Sequence, residues 1–197
     1  MTSSLFRPLI LTLALAGLLA TVHHLTEDRI AQGKAAFEER QLASLLPSSG
    51  YDPPLKRAPT GLPIQGRVAP VYLAYLDGAP ASALIELVTP KGYNGEIKLM
   101  LAVSFAGEVL GVRAMAHRET PGLGDAIDYD KSPWITQFNG RTLTNHSGTT
   151  WAPDRRGGDF DTITSATITS SAVIESVELG LRAYVAHRDS LWGEFNE

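Results

Sequence analysis

Between Arg7 and Glu27 the chain carries no formal charge, and Leu and Ala dominate the run from Pro8 to Thr26. As a helix, these 19 residues extend roughly 28 Å, about the hydrocarbon thickness of a bilayer. The run therefore divides the chain into an anchor, residues 1–26 with its span at 8–26, and a body that must fold outside the bilayer. A cleaved signal peptide is the competing reading, with Arg7 as basic flank and Leu9–Val22 as apolar region. The one Ala-x-Ala, Ala14-Leu15-Ala16, lies inside the apolar run, so an uncleaved anchor is the expectation. Basic residues stand on both sides, Arg7 before and Arg29, Lys34 and Arg40 after, and that distribution leaves the orientation open.

The rest of the 197 residues suffices for about one domain. With no cysteine, the chain has no disulfide, zinc–thiolate or thiol chemistry. A formal net charge of −4 argues against nucleic acid as a partner.

After the anchor, residues 27–66 read as a juxtamembrane helix and a linker. Thr26, Glu27 and Asp28 resemble a helix start, and the helix runs to Leu46 before Pro47. Residues 47–66 hold five of the twelve prolines and are expected to be irregular. From 67 to 197 the pattern predicts an α+β body. Val68–Leu76 and Ala83–Val88 flank Asp77-Gly78, and Glu96–Phe105 and Glu108–Met115 flank Ala106-Gly107, so both pairs read as antiparallel hairpins. Ala116–Gly158 lacks periodicity and reads as loop. Ser170 to about Leu191 reads as a C-terminal helix with Val173, Val177, Leu181 and Tyr184 facing a core.

Asp161–Ser171 contains seven hydroxyl residues in eleven positions. Taken by itself, it is a turn into the helix with Ser and Thr available as caps. Glycine patterns for free nucleotides are absent. Asp161-x-x-Thr164-Ser165-Ala166-Thr167, however, resembles the flavinylation motif of the FMN-binding domain family, whose last Thr is esterified to the FMN phosphate. Gly92-Tyr93-Asn94-Gly95, His117-x-Glu119-Thr120-Pro121-Gly122-Leu123-Gly124-Asp125, Lys131-Ser132-x-Trp134 and Gly158-x-Phe160-Asp161 extend the likeness over nearly the whole chain. In order and spacing they are similar to the G subunits of Rnf ion-translocating electron transport complexes. The C subunits of sodium-pumping quinone reductases share the motif and rank second.

The resemblance implies an N-terminal transmembrane helix followed by an antiparallel-sheet FMN-binding domain with a C-terminal helix. It implies covalent FMN on Thr167, installed by a flavin transferase from FAD with a divalent metal. It further implies a single-pass subunit of the cell inner membrane, in contact with lipid and other subunits, with its flavin domain on the periplasmic side. Such a subunit relays electrons and is not a stand-alone enzyme. Glu119, Thr120, Gly122, Leu123, Gly124 and Thr169 are the expected cofactor contacts, the glycines admitting main chain close to a flat ring. Two departures stand out: Ser165 replaces a frequent Gly, and Ser170-Ser171 replace a frequent Pro-Arg.

For Thr167 the chemistry is plain without the resemblance. A phosphodiester there needs an accessible hydroxyl with little bulk before it, and a helix start beside it favours the phosphate charge. No base accompanies Thr167 in the motif, so it is not self-activated. His117, Glu119 and Asp125 raise a metal hydrolase as a rival, but their spacing fits no metal signature, and no metal is expected. Trp134, Tyr93 and Trp151 are either flavin neighbours or packing residues. A flavin-free membrane-tethered interaction module, in which the hydroxyl segment merely caps the helix, is the alternative function.

Overall fold

The computed structural model describes residues 51–143 and 150–193, together with Ala16, Gly17, Thr21 and Leu45. The chain divides into two compact units, Met1–Arg40 and Gln41–Glu197, and the second contains every strand found among the described residues. Ala16, Gly17 and Thr21 are helical; otherwise the 8–26 span, like the helix expected from Thr26 to Leu46 apart from Leu45, lies outside the described residues. Among the described residues no helix is long and apolar enough to cross a membrane.

Seven strands form: β1 (Asp52–Arg57), β2 (Leu62–Ile64), β3 (Arg67–Ala69), β4 (Val71–Leu76), β5 (Ala79–Gly92), β6 (Gly95–Ser104) and β7 (Val109–Ala116). Five make one sheet in the order β1-β4-β5-β6-β7, every neighbouring pair antiparallel, and β2 pairs with β3 in a small ribbon. Both expected hairpins are present. Asp77 and Gly78 have φ of +53° and +74°, the two positive values that the tightest hairpin turn requires. Strand β5 runs past its expected end to Gly92 and turns through Tyr93-Asn94 into β6, so β5 and β6 form a third hairpin.

Two expectations about strands are corrected. The stretch 47–66 is not wholly irregular, since β1 and β2 lie within it. Strand β1 occupies the edge of the sheet, and its register shifts between Asp52 and Lys56, where Pro53 and Pro54 fall. An edge strand with a bulge tolerates the missing N–H groups of proline. The single strand expected over Val68–Leu76 is split at Pro70 into β3 and β4, which pair with different partners.

Ala116 closes β7, and residues 117–143 and 150–158 contain no strand and fold as loops with short 3₁₀ turns at Gly124–Ile127, Pro133–Phe138 and Asp154–Arg156. The C-terminal helix, α1, spans Thr167–Gly193. It begins three residues before the expected Ser170, and Thr167 is its first residue. Val173, Val177, Leu181 and Tyr184 are fully buried against Ile85, Leu87, Leu99 and Leu101 of the sheet. Contact is close at Gly180, where a Cβ would stand 2.8 Å from Leu87 Cδ2. At the far end the Trp192 indole N–H donates to the Tyr184 hydroxyl at 3.1 Å, and burial pushes that phenol up to about 12.

Candidate functional site

The first turn of α1 lies against the β5–β6 turn and the loop that leaves β7. Ala166 caps the helix: its carbonyl accepts the N–H of Ser170 at 3.0 Å, and its own N–H donates to Ile163 O at 3.0 Å. The N–H groups of Thr167, Ile168 and Thr169 have no partner among the described residues, as expected for a helix start. Ser165, with φ +65°, is the third residue of the turn that leads into the cap, a position that suits Gly. Ser165 therefore holds a backbone conformation that glycine would adopt at less cost. Ser170 Oγ accepts the Ile163 N–H and donates to Ala166 O, both at 3.0 Å, pinning the turn to the helix.

Three stretches that are distant in sequence meet at the carboxylate of Glu119, which is 5% exposed. Asn94 N–H donates to Oε1 at 3.1 Å, and Thr169 Oγ1 donates to Oε2 at 2.5 Å. Asn94 Nδ2 also donates to Thr120 Oγ1 at 3.0 Å. Two glycines make room for this junction. A Cβ at Gly92 would lie 2.7 Å from Glu119 Oε1, and one at Gly124 would lie 2.8 Å from Oε2. Gly122 differs: its φ is +78° and space around it is open, so it serves the backbone path.

Below the loop a charged network holds the exit from Gly124. Glu119 N–H donates to His117 Nδ1 at 3.1 Å, which leaves the ring proton on Nε2, donated to Asp128 at 2.9 Å. Lys131 Nζ bridges Asp125 at 2.9 Å and Asp128 at 2.8 Å. Its hydrogen bond holds the Asp125 carboxyl below the usual range, and the two carboxylates raise the Lys131 ammonium. These groups are engaged with one another, and the described residues contain no cluster suited to a metal ion.

Between the loop and the helix start lies a groove of about 550 Å³, within the range of small-molecule sites. Glu119, Thr120, Leu123 and Gly124 form one wall, and Ser165 to Thr169 the other, with Tyr93 at the rim. Tyr93, Leu123 and Ile168 expose apolar surface at 67%, 43% and 55%. Thr167 is half-buried and Ser165 exposed. Bare N–H groups beside a hydroxyl, with apolar surface opposite, fit a group that has an anionic end and a flat ring.

Asp161, Thr164 and Gly122 do not line the groove. Asp161 is held by its backbone: its N–H donates to Gln137 Oε1 at 2.8 Å, and its carbonyl accepts the Trp134 indole N–H at 2.8 Å. Trp134 is thus a structural clamp, and Trp151 stacks among Phe138 and Phe160 away from the groove. Sequence reasoning misses the Gln137 clamp and the Asn94 N–H contact. The Gly92-Tyr93-Asn94-Gly95 turn is the available signal for the second, since a turn with glycine on both sides can approach another loop closely.

The site defines a class: residues 92–182 match the model of the FMN-binding domain. The chain is 41% identical over 180 residues to the G subunit of the ion-translocating oxidoreductase complex of Pseudomonas aeruginosa, covering 89% of this chain and 84% of that protein. It is 42% identical over 167 residues to the corresponding G subunit of Shewanella baltica, covering 82% and 79%. Against the G subunit of Vibrio cholerae it is 39% identical over 184 residues, covering 91% and 88%. The chain belongs to the family of these G subunits, RnfG.

Proposed function

We propose that the chain is the flavoprotein subunit of a membrane-bound ion-translocating electron transport complex, passing electrons between other subunits through FMN esterified to Thr167. The flavin supplies the redox chemistry, and the protein supplies position and electrostatics. What carries the reading is the position of Thr167: it is the first residue of α1, on the groove wall, at a helix start whose first three N–H groups have no partner among the described residues.

In this reading a flavin transferase uses FAD and a divalent metal. Thr167 Oγ1 would lose its proton to a base of the transferase and hold the FMN phosphate as an ester, the pyrophosphate bond of FAD breaking with AMP as the leaving group. No carboxylate or imidazole hydrogen-bonds Thr167 among the described residues, so activation falls to the transferase. Exposed Ser165 and the methyl of Ala166 leave the oxygen approachable. Leu123 and Tyr93 offer apolar faces to the ring, Thr120 and Gly124 shape the wall, and Glu119 and Thr169 brace it. Asp161 and Thr164 belong to the segment that the transferase reads. Residues 8–26 anchor the subunit in the lipid of the cell inner membrane as a single span, with the flavin domain on the periplasmic side. A covalent tether keeps the flavin from diffusing away there.

Intact mass of protein matured with the transferase tests this. One FMN mass is expected on the unsubstituted chain and none on a folded Thr167→Val variant. Retention of that mass in Thr167→Val removes Thr167 from the mechanism.

A further inference from the structure

On the other side of Thr167 from the groove is a second recess, of about 240 Å³, and Thr167 and Ile168 form the ridge between the two. Lys91, Arg156, Ser171 and Glu175 line it. Lys91 Nζ is tied to Glu175 at 2.5 Å, which offsets its charge. Arg156 has no carboxylate partner among the described residues; its Nη2 lies 3.5 Å from Ser171 Oγ. Among the described residues the recess therefore holds one cation in surplus, and Thr167 lines the same recess. A phosphodiester carries one ionised oxygen, and guanidinium is the side chain best matched to it.

Resting on the attachment at Thr167, we propose that Arg156 seats the phosphodiester in this recess, so that the phosphate and the ring occupy opposite sides of the Thr167 ridge. Arg156 reaches the site from the 3₁₀ turn at Asp154–Arg156, and that turn is set by Gly157, which has φ +76° and donates its N–H to Asp154 O at 2.9 Å. Lys91, restrained by Glu175, closes the recess without adding a second free charge. The ring end is then directed toward Tyr93 and Leu123. Arg156 is a positioning residue for the phosphate.

The test uses the full chain matured with its flavin transferase, and reads the phosphorus NMR resonance of the attached phosphate together with intact mass. In Arg156→Gln the resonance moves, and labelling at limiting transferase slows several-fold. In Arg156→Lys, which keeps the charge, both stay close to the unsubstituted protein. Resonances and labelling rates that coincide in all three proteins overturn the seat for the phosphate, while an FMN mass in all three leaves the attachment standing. If the unsubstituted protein itself carries no FMN mass, the attachment fails instead. If Arg156→Gln takes no label, labelled Arg156→Lys supports the proposal and equal loss in both overturns it.

Discussion

Thr169 donates a 2.5 Å hydrogen bond to Glu119 across 50 residues of sequence, and both groups are buried. The bond fixes the first turn of α1 against the loop after β7, and so sets the width of the groove between them. Both carboxylate oxygens are engaged, Oε1 by the Asn94 N–H and Oε2 by the Thr169 hydroxyl. Glu119 acts here as a brace.

Thr169→Val keeps the shape of the side chain and removes the donor, leaving a buried carboxylate oxygen without its partner. The expected cost is about 1–3 kcal/mol, since desolvation of an unpaired buried acceptor is then uncompensated. Thr169→Ser retains the hydroxyl and should recover most of it. Denaturant unfolding of the three proteins checks this; equal stability of the Val and native proteins removes the brace.

Gly122 and Gly124 are two residues apart and serve different physical ends, so alanine should separate them. At Gly124 a Cβ meets Glu119 Oε2 at 2.8 Å, Glu119 Cβ at 3.0 Å and Thr169 Oγ1 at 3.1 Å. Gly124→Ala should therefore force the brace apart, at a cost of roughly 1–3 kcal/mol. Gly122→Ala meets open space and loses only what its left-handed backbone costs, about 1 kcal/mol. Melting temperatures rank the pair, and the reverse order contradicts the assignment.

How much of the molecule is legible in the sequence depends on the range of the interactions. The two hairpins and the buried face of α1 follow from local periodicity and turn chemistry, and the structure bears them out. Strand β1 does not follow, because a proline-rich stretch becomes a strand only at the edge of a sheet whose next strand, β4, is supplied from farther along the chain. Nor does β2, because its pairing with β3 depends on Gln65, a non-glycine residue, taking a φ of +49° in the turn. The helix start is misplaced because Thr167 and Ile168 are poor helix formers, whereas Ser170 pins the turn through Ile163. The motif residues are visible one by one. Their convergence on Glu119 is not, since nothing local in the sequence marks that the missing side chain of Gly124 makes room for the Glu119 carboxylate.

Ser165 holds φ +65°, a conformation that costs a side-chain-bearing residue and that glycine adopts freely. Ser165→Gly should leave stability unchanged or raise it by up to about 1 kcal/mol, the gain being offset in part by the looser unfolded chain. Ser165→Val should lose roughly 1–2 kcal/mol, because a β-branched residue resists the left-handed region more strongly. Denaturant midpoints decide; a Val variant as stable as the native protein would show that the turn relaxes.

Lys131 links Asp125 and Asp128, and its removal should have a particular pH dependence. The Asp125 carboxyl is held below its ordinary 3.8, chiefly by the Lys131 hydrogen bond. A carboxyl with a depressed folded value stabilises the fold above its ordinary value, and that contribution is lost as the pH falls through the lower one. The ammonium is raised above its ordinary 10.5, so its contribution is complete below that value and is lost only in strong alkali. Lys131→Met should therefore be less stable than the native protein above the ordinary carboxyl range, where the charge of Asp125 is present in both proteins. The margin should shrink as Asp125 takes up its proton in acid. Urea titrations of both proteins at several pH values measure it. A margin that stays constant into strong acid would show that pairing with the Asp125 carboxylate is not its source.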